Sequence, residues 1–66
     1  MQLDTDKLKR QMAIKFMSGA KLAEVTGITR QSIYRILRGD NQPKPENFKL
    51  ICQALECDPR DLLQEP

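Results

Sequence analysis

The sequence predicts an all-α fold, a compact bundle of five short helices. Three observations carry that expectation. Apolar residues recur three and four positions apart, as in Leu8-Met12-Phe16 and Ile33-Ile36-Leu37, and no stretch alternates as a strand would. Residues that cap helix starts stand ahead of those runs, at Asp4, Ser18, Thr29 and Asp58. Gly27 and Gly39 stand where two of the runs end.

The first helix is expected over residues 5–16. Asp4, Thr5 and Asp6 supply an N-cap and negative charge at the positive end of the helix dipole. Its apolar stripe is Leu8, Met12 and Phe16, with Ile14 and Met17 nearby; Gln11 interrupts it. Ser18 caps a second helix over 19–26, whose apolar positions are Leu22, Ala23 and Val25. The small Ala23 lets the next helix cross closely. Gly27 ends this helix in the left-handed conformation that glycine adopts at no steric cost, and Ile28 plugs the corner. Thr29 caps a third helix over 30–38, with Ile33, Ile36 and Leu37 inward and Gly39 as its stop. The turn-rich Asp40-Asn41-Gln42-Pro43 follows. Pro45 suits the first position of a fourth helix, where its missing N–H is no loss; Phe48, Ile51, Cys52 and Leu55 form the stripe. Asp58-Pro59-Arg60-Asp61 opens a short fifth helix with a capping box, Leu62 and Leu63 close the core, and Gln64-Glu65-Pro66 is expected to fray. Met12, Phe16 and Phe48 are all expected in the core.

Sixty-six residues, read as a single domain over 1–66, leave little room for a deep catalytic cleft with a supporting shell. There is no His, hence no ordinary general base near neutrality and no imidazole ligand. Cys52 and Cys57 are too few for a structural zinc site and read as reduced core thiols of a cytoplasmic protein. No catalytic set, metal site or cofactor is expected. No segment approaches the length of a membrane span, and the N-terminus lacks a signal-peptide core. The net charge is +2, but it is uneven. Lys7, Lys9, Arg10, Lys15, Lys21, Arg30, Arg35, Arg38 and Lys44 load the front; Glu46, Glu56, Asp58, Asp61 and Glu65 outweigh Lys49 and Arg60 at the end. A basic front suits a nucleic-acid face, although Lys7, Lys9, Lys15 and Lys21 serve solubility by default.

Residues 18–38 form a helix-turn-helix pattern. The second of its helices is polar and basic outward, through Arg30, Gln31, Ser32, Tyr34, Arg35 and Arg38. That is the chemistry of a helix placed in the DNA major groove, where arginine reaches guanine and glutamine reaches adenine.

With these residues in order, the chain resembles the Cro and phage-repressor (xenobiotic-response-element) type of helix-turn-helix regulator, a lambda-repressor-like DNA-binding domain. The resemblance rests on Ser18, Leu22-Ala23-Glu24, Gly27-Ile28-Thr29, Arg30-Gln31-Ser32-Ile33, Arg38-Gly39, Pro43, the segment 50–55 and Asp58-Pro59-Arg60-Asp61-Leu62-Leu63. It implies base reading by Arg30, Gln31, Ser32 and Arg35, with Tyr34 at the edge of that surface. It implies phosphate contacts from Ser18 and Gly19 at the start of the second helix, and from Thr29, Arg38, Asn41 and Lys44. Three positions depart from the family pattern. Gly19 stands where glutamine is frequent, so only a backbone N–H is offered. Leu37 replaces a frequently acidic residue. Glu56 stands after Leu55, where glycine is common.

The function so implied is a sequence-specific double-stranded DNA-binding transcription regulator, a repressor of a phage, mobile element or small bacterial operon. One module reads only about four to six base pairs, so a homodimer on an inverted repeat is expected, with half-sites about one helical turn apart. Leu62 and Leu63 are the expected dimer surface. The alternative is an antitoxin or adaptor whose helices bind another protein.

Overall fold

Except for the helix opened by Pro45, which has no N–H to satisfy at its first position, each helical element starts where a side chain takes up its first unpaired amides. The Asp4 carboxylate accepts hydrogen bonds from the backbone N–H of Asp6 (2.9 Å) and Lys7 (3.1 Å). Ser18 Oγ accepts from Lys21 N–H, and Thr29 Oγ1 from Ser32 N–H. Asp58 and Asp61 complete a reciprocal capping box. The Arg60 backbone N–H and then its guanidinium hold the Asp58 carboxyl below its usual range. The computed structural model describes residues 2–65. It contains α1 (Thr5–Ile14), α2 (Gly19–Thr26), α3 (Arg30–Leu37), α4 (Pro45–Leu55) and a 3-10 turn (Pro59–Asp61).

The ends of three helices share one device. After α1, Phe16 N–H donates to Ala13 O and Met17 N–H to Met12 O; after α3, Gly39 and Asp40 repeat the pattern onto Ile36 and Arg35; after α4, Glu56 and Cys57 repeat it onto Gln53 and Cys52. Each pattern needs one residue in the left-handed region. Gly39 (φ 81°) supplies it after α3, and Gly27 (φ 77°) ends α2 with a single bond to Ala23 O. Phe16 (φ 53°) and Glu56 (φ 52°) supply it without glycine's freedom.

The reversal at Phe16 corrects the first helix. It stops at Ile14 rather than running to 16, and Phe16 is 97% exposed instead of buried; Ile14 is exposed too. Met17, thrown inward by the turn, packs on the core in its place. A side chain in the left-handed conformation costs about 1–2 kcal/mol, and glycine returns part of that as chain entropy. Phe16→Gly is therefore expected to raise the thermal midpoint by about 2–6 °C. A drop in midpoint would show that the exposed ring contributes packing.

The core consists of Leu3, Leu8, Met12, Leu22, Ala23, Ile33, Ile36, Ile51, Cys52, Leu55 and Leu62. Six of these side chains are fully buried, each contributing about 1.5–3 kcal/mol relative to exposure. α2 packs on both α3 and α4, while α1 packs on α3 and the 3-10 turn. Val25, expected inside, is exposed, and Thr26 is buried instead. Its hydroxyl donates to Leu22 O at 2.7 Å and accepts from Ile28 N–H, so the buried polar group is satisfied while bracing the corner.

The fifth helix is only a 3-10 turn of three residues, so four α-helices are present among the described residues. After this turn the chain leaves to pair with the N-terminal segment. Leu3 and Leu63 form an antiparallel bridge; Asp4 N–H donates to Leu62 O and Gln64 N–H to Gln2 O, each at 2.8 Å. Lys7 reaches both Leu63 O and the Glu65 carboxylate. Gln64 and Glu65 are thus tied down rather than frayed; Pro66 lies outside the described residues. The same pairing buries Leu62 completely within its own chain, which removes it from the expected dimer surface and leaves only the half-buried Leu63 near the exterior.

Candidate nucleic-acid interface

The α2–α3 corner turns at Gly27-Ile28-Thr29, and burial of Ile33 and Ile36 fixes which side of α3 faces outward. Arg30, Gln31, Tyr34, Arg35 and Arg38 fall at i, i+1, i+4, i+5 and i+8, on one exposed face. Among the described residues, Arg30, Gln31 and Arg35 form no side-chain hydrogen bond or ion pair within the chain. Their donors and acceptors are free for a partner, as bidentate recognition of a base edge requires.

The hydroxyls are committed differently. Thr29 Oγ1 accepts the Ser32 N–H and donates to Ser32 Oγ at 2.9 Å, so its proton is used inside the cap. Ser32, half-buried, accepts that bond and keeps its own proton to donate. Ser18 Oγ accepts from Lys21 N–H and likewise retains its proton, at the exposed start of α2. Gly19 is buried, and the phenol end of Tyr34 lies against it. Tyr34, expected at the edge of the base-reading set, therefore sits where α3 meets the first turn of α2.

Beyond α3, Arg38 Nε donates to the Asp40 carboxylate at 3.1 Å, with both side chains more than 60% exposed. An exposed pair of this kind is worth at most about 1 kcal/mol and leaves the remaining guanidinium nitrogens for a phosphate. Asn41 and Lys44 are exposed on the α3–α4 connection, and Lys44 precedes α4 without a side-chain cap bond. One residue that the sequence pattern did not single out holds this connection in place. Gln42 Oε1 accepts the Leu3 N–H at 2.9 Å and ties the loop to the N-terminal segment. No local pattern marks a contact spanning 39 positions.

Much of the acidic charge is spent elsewhere, at Asp4, Asp58 and Asp61 as caps and at Glu24 and Glu65 in pairs with Lys21 and Lys7. A surface depression of about 830 Å³ also lies apart from the α3 face and carries Asp4, Asp6 and Glu65 against Lys7. The thiols do not prepare a nucleophile. Burial, reinforced by the neighbouring Cys57, pushes Cys52 up to about 11, and burial raises Cys57 as well. Among the described residues no cluster of three or more His, Cys, Asp or Glu is placed to hold a metal ion, and no helix is long and apolar enough to cross a membrane.

Known proteins bear on this geometry in two ways. The fold is similar to that of the restriction-modification controller protein C.AhdI from Aeromonas hydrophila, with a TM-score of 0.80 and 24% identity, covering 86% of each chain. It is also similar to part of the hydroxyethylphosphonate dioxygenase Y98F mutant (TM-score 0.83) and to part of native PhpD with cadmium atoms (TM-score 0.82). In both cases identity is 23%, with 98% of this chain but only 14% of the other covered. At these identities the likeness is one of fold. No curated protein matches the chain. The family model of the Cro/C1-type helix-turn-helix DNA-binding domain matches residues 7–64, from within α1 through the 3-10 turn with the whole α3 face, and the chain belongs to that family.

Proposed function

We propose that this chain is a sequence-specific reader of double-stranded DNA that acts as a transcription regulator in the cytoplasm, with residues 1–66 working as one module. The observation that carries the proposal is the unpaired, exposed set Arg30, Gln31 and Arg35 on a helix whose opposite side is locked into the core by Ile33 and Ile36. In this reading the N-terminal half of α3 enters the major groove. Arg30 or Arg35 donates two hydrogen bonds to guanine O6 and N7, Gln31 exchanges a pair with adenine, and Ser32 donates at short range. Ser18, Thr29, Arg38, Asn41 and Lys44 line the flanking phosphates and set the register, while Gly19, buried against Tyr34, stands behind the Ser18 contact. So few base contacts call for two modules on an inverted repeat, hence a homodimer. The restriction-modification controller supports a role on a small bacterial or mobile-element operon, and a repressor follows where the site overlaps a promoter.

Titration of random-sequence duplex DNA against salt tests the electrostatic half of this proposal. Lys44→Ala is expected to weaken every sequence alike and to reduce the slope of log affinity on log salt by about one. A slope unchanged from wild type would remove Lys44 from the phosphate set. A slope near zero for the wild type would reject DNA binding altogether. The exposed Phe16 and Ile14 are the features that favour the antitoxin or adaptor alternative, in which the chain docks on a protein.

A further inference from the structure

The contact between α2 and α3 contains one approach too close for a side chain. Gly19 is the first residue of α2 and is buried. A Cβ placed on it would lie 2.8 Å from Cε1, 3.0 Å from Cζ and 3.2 Å from the hydroxyl oxygen of Tyr34. Gly19 is not among the positive-φ residues, so the position uses glycine's missing side chain rather than its backbone freedom. Tyr34 is 45% exposed: one side of its phenol end rests on the first turn of α2, and the rest shares the outward face of α3 with Arg30, Arg35 and Arg38.

We propose that Tyr34 is a positioning residue of the DNA face rather than a base reader, and that Gly19 is its seat. Resting on the DNA-binding reading above, the proposal adds which contact shapes the surface that meets the groove. With the ring seated on α2, the outer surface around Arg30 and Arg35 stays low enough for the groove wall to approach. A Cβ at position 19 meets first the far end of a flexible side chain, not backbone. The clash is relieved by turning Tyr34 outward, which leaves the fold intact and places a bulky ring between α3 and the DNA.

A double-mutant cycle tests this. Gly19→Ala is expected to lower affinity for the selected DNA site by about tenfold with Tyr34 present, and by less than about twofold in a Tyr34→Ala background. Tyr34→Phe keeps the ring and its seat, and is expected to retain the same preferred sequence and affinity within about twofold. The chain has one tyrosine and no tryptophan, so its intrinsic emission reports this ring alone. Iodide quenching of that emission, measured without DNA, is expected to rise in Gly19→Ala at an unchanged helical circular-dichroism signal. Equal losses in both backgrounds, or unaltered quenching, would overturn the seat. A changed base preference in Tyr34→Phe would make Tyr34 a reader. Failure of the wild type to prefer any sequence would reject the DNA reading, while the quenching result would still decide the seat.

Discussion

Leu62→Ala is expected to destabilise the protein by about 2–5 kcal/mol, a large share of the roughly 3–10 kcal/mol available to a domain of this size. Leu62 is fully buried although it follows only a three-residue 3-10 turn. Its backbone carbonyl accepts the Asp4 N–H, and the Leu3–Leu63 bridge lies beside it, so the segment that carries it cannot collapse easily into the space the side chain leaves. The cost should therefore include the cavity as well as the lost transfer energy. Denaturant unfolding measures it, and the loss should not depend on protein concentration, because the contact lies within one chain. A loss below about 1 kcal/mol, or one that grows on dilution, would return Leu62 to an interface between copies.

Arg30→Ala and Gln31→Ala are each expected to weaken the specific DNA site by about 1–3 kcal/mol, roughly five- to hundredfold, with little change on random sequence. Both side chains are exposed and free of partners within the chain, so neither substitution should move the unfolding midpoint noticeably. That separation matters: the lost energy belongs to base contacts and not to the fold. Competition binding against selected and random duplexes measures both quantities together. Equal losses on the two DNAs would place these residues on phosphates instead of bases.

What was legible in the sequence was what local chemistry dictates. Ser18, Thr29, Asp58 and Pro45 mark helix starts because a cap or a missing N–H acts within one turn, and the structure starts its elements beside each of them. Ile33 and Ile36 orient α3 through periodicity alone, and with it the Arg30, Gln31 and Arg35 face. Where the structure departs from the sequence reading, each departure has its own physical cause. Phe16 takes the left-handed position where glycine would have announced a helix end, so the apolar period carried the expected helix two residues too far. Thr26 is buried because its hydroxyl finds the Leu22 carbonyl, which hydrophobic patterning cannot register. Leu3, Gln42 and the seat of Tyr34 on Gly19 are tertiary contacts between distant segments, visible only once the chain is folded. The capping box at Asp58 and Asp61 marks where the fifth element begins and says nothing of how far it runs.

The α3 face is expected to read DNA sequence. Selection of bound duplexes from a random-sequence pool at near-physiological salt tests it most directly. The expected result is one enriched inverted repeat, with half-sites about one helical turn apart, whose preferred bases change when Arg30, Gln31 or Arg35 is substituted. A folded protein that enriches no sequence would contradict it.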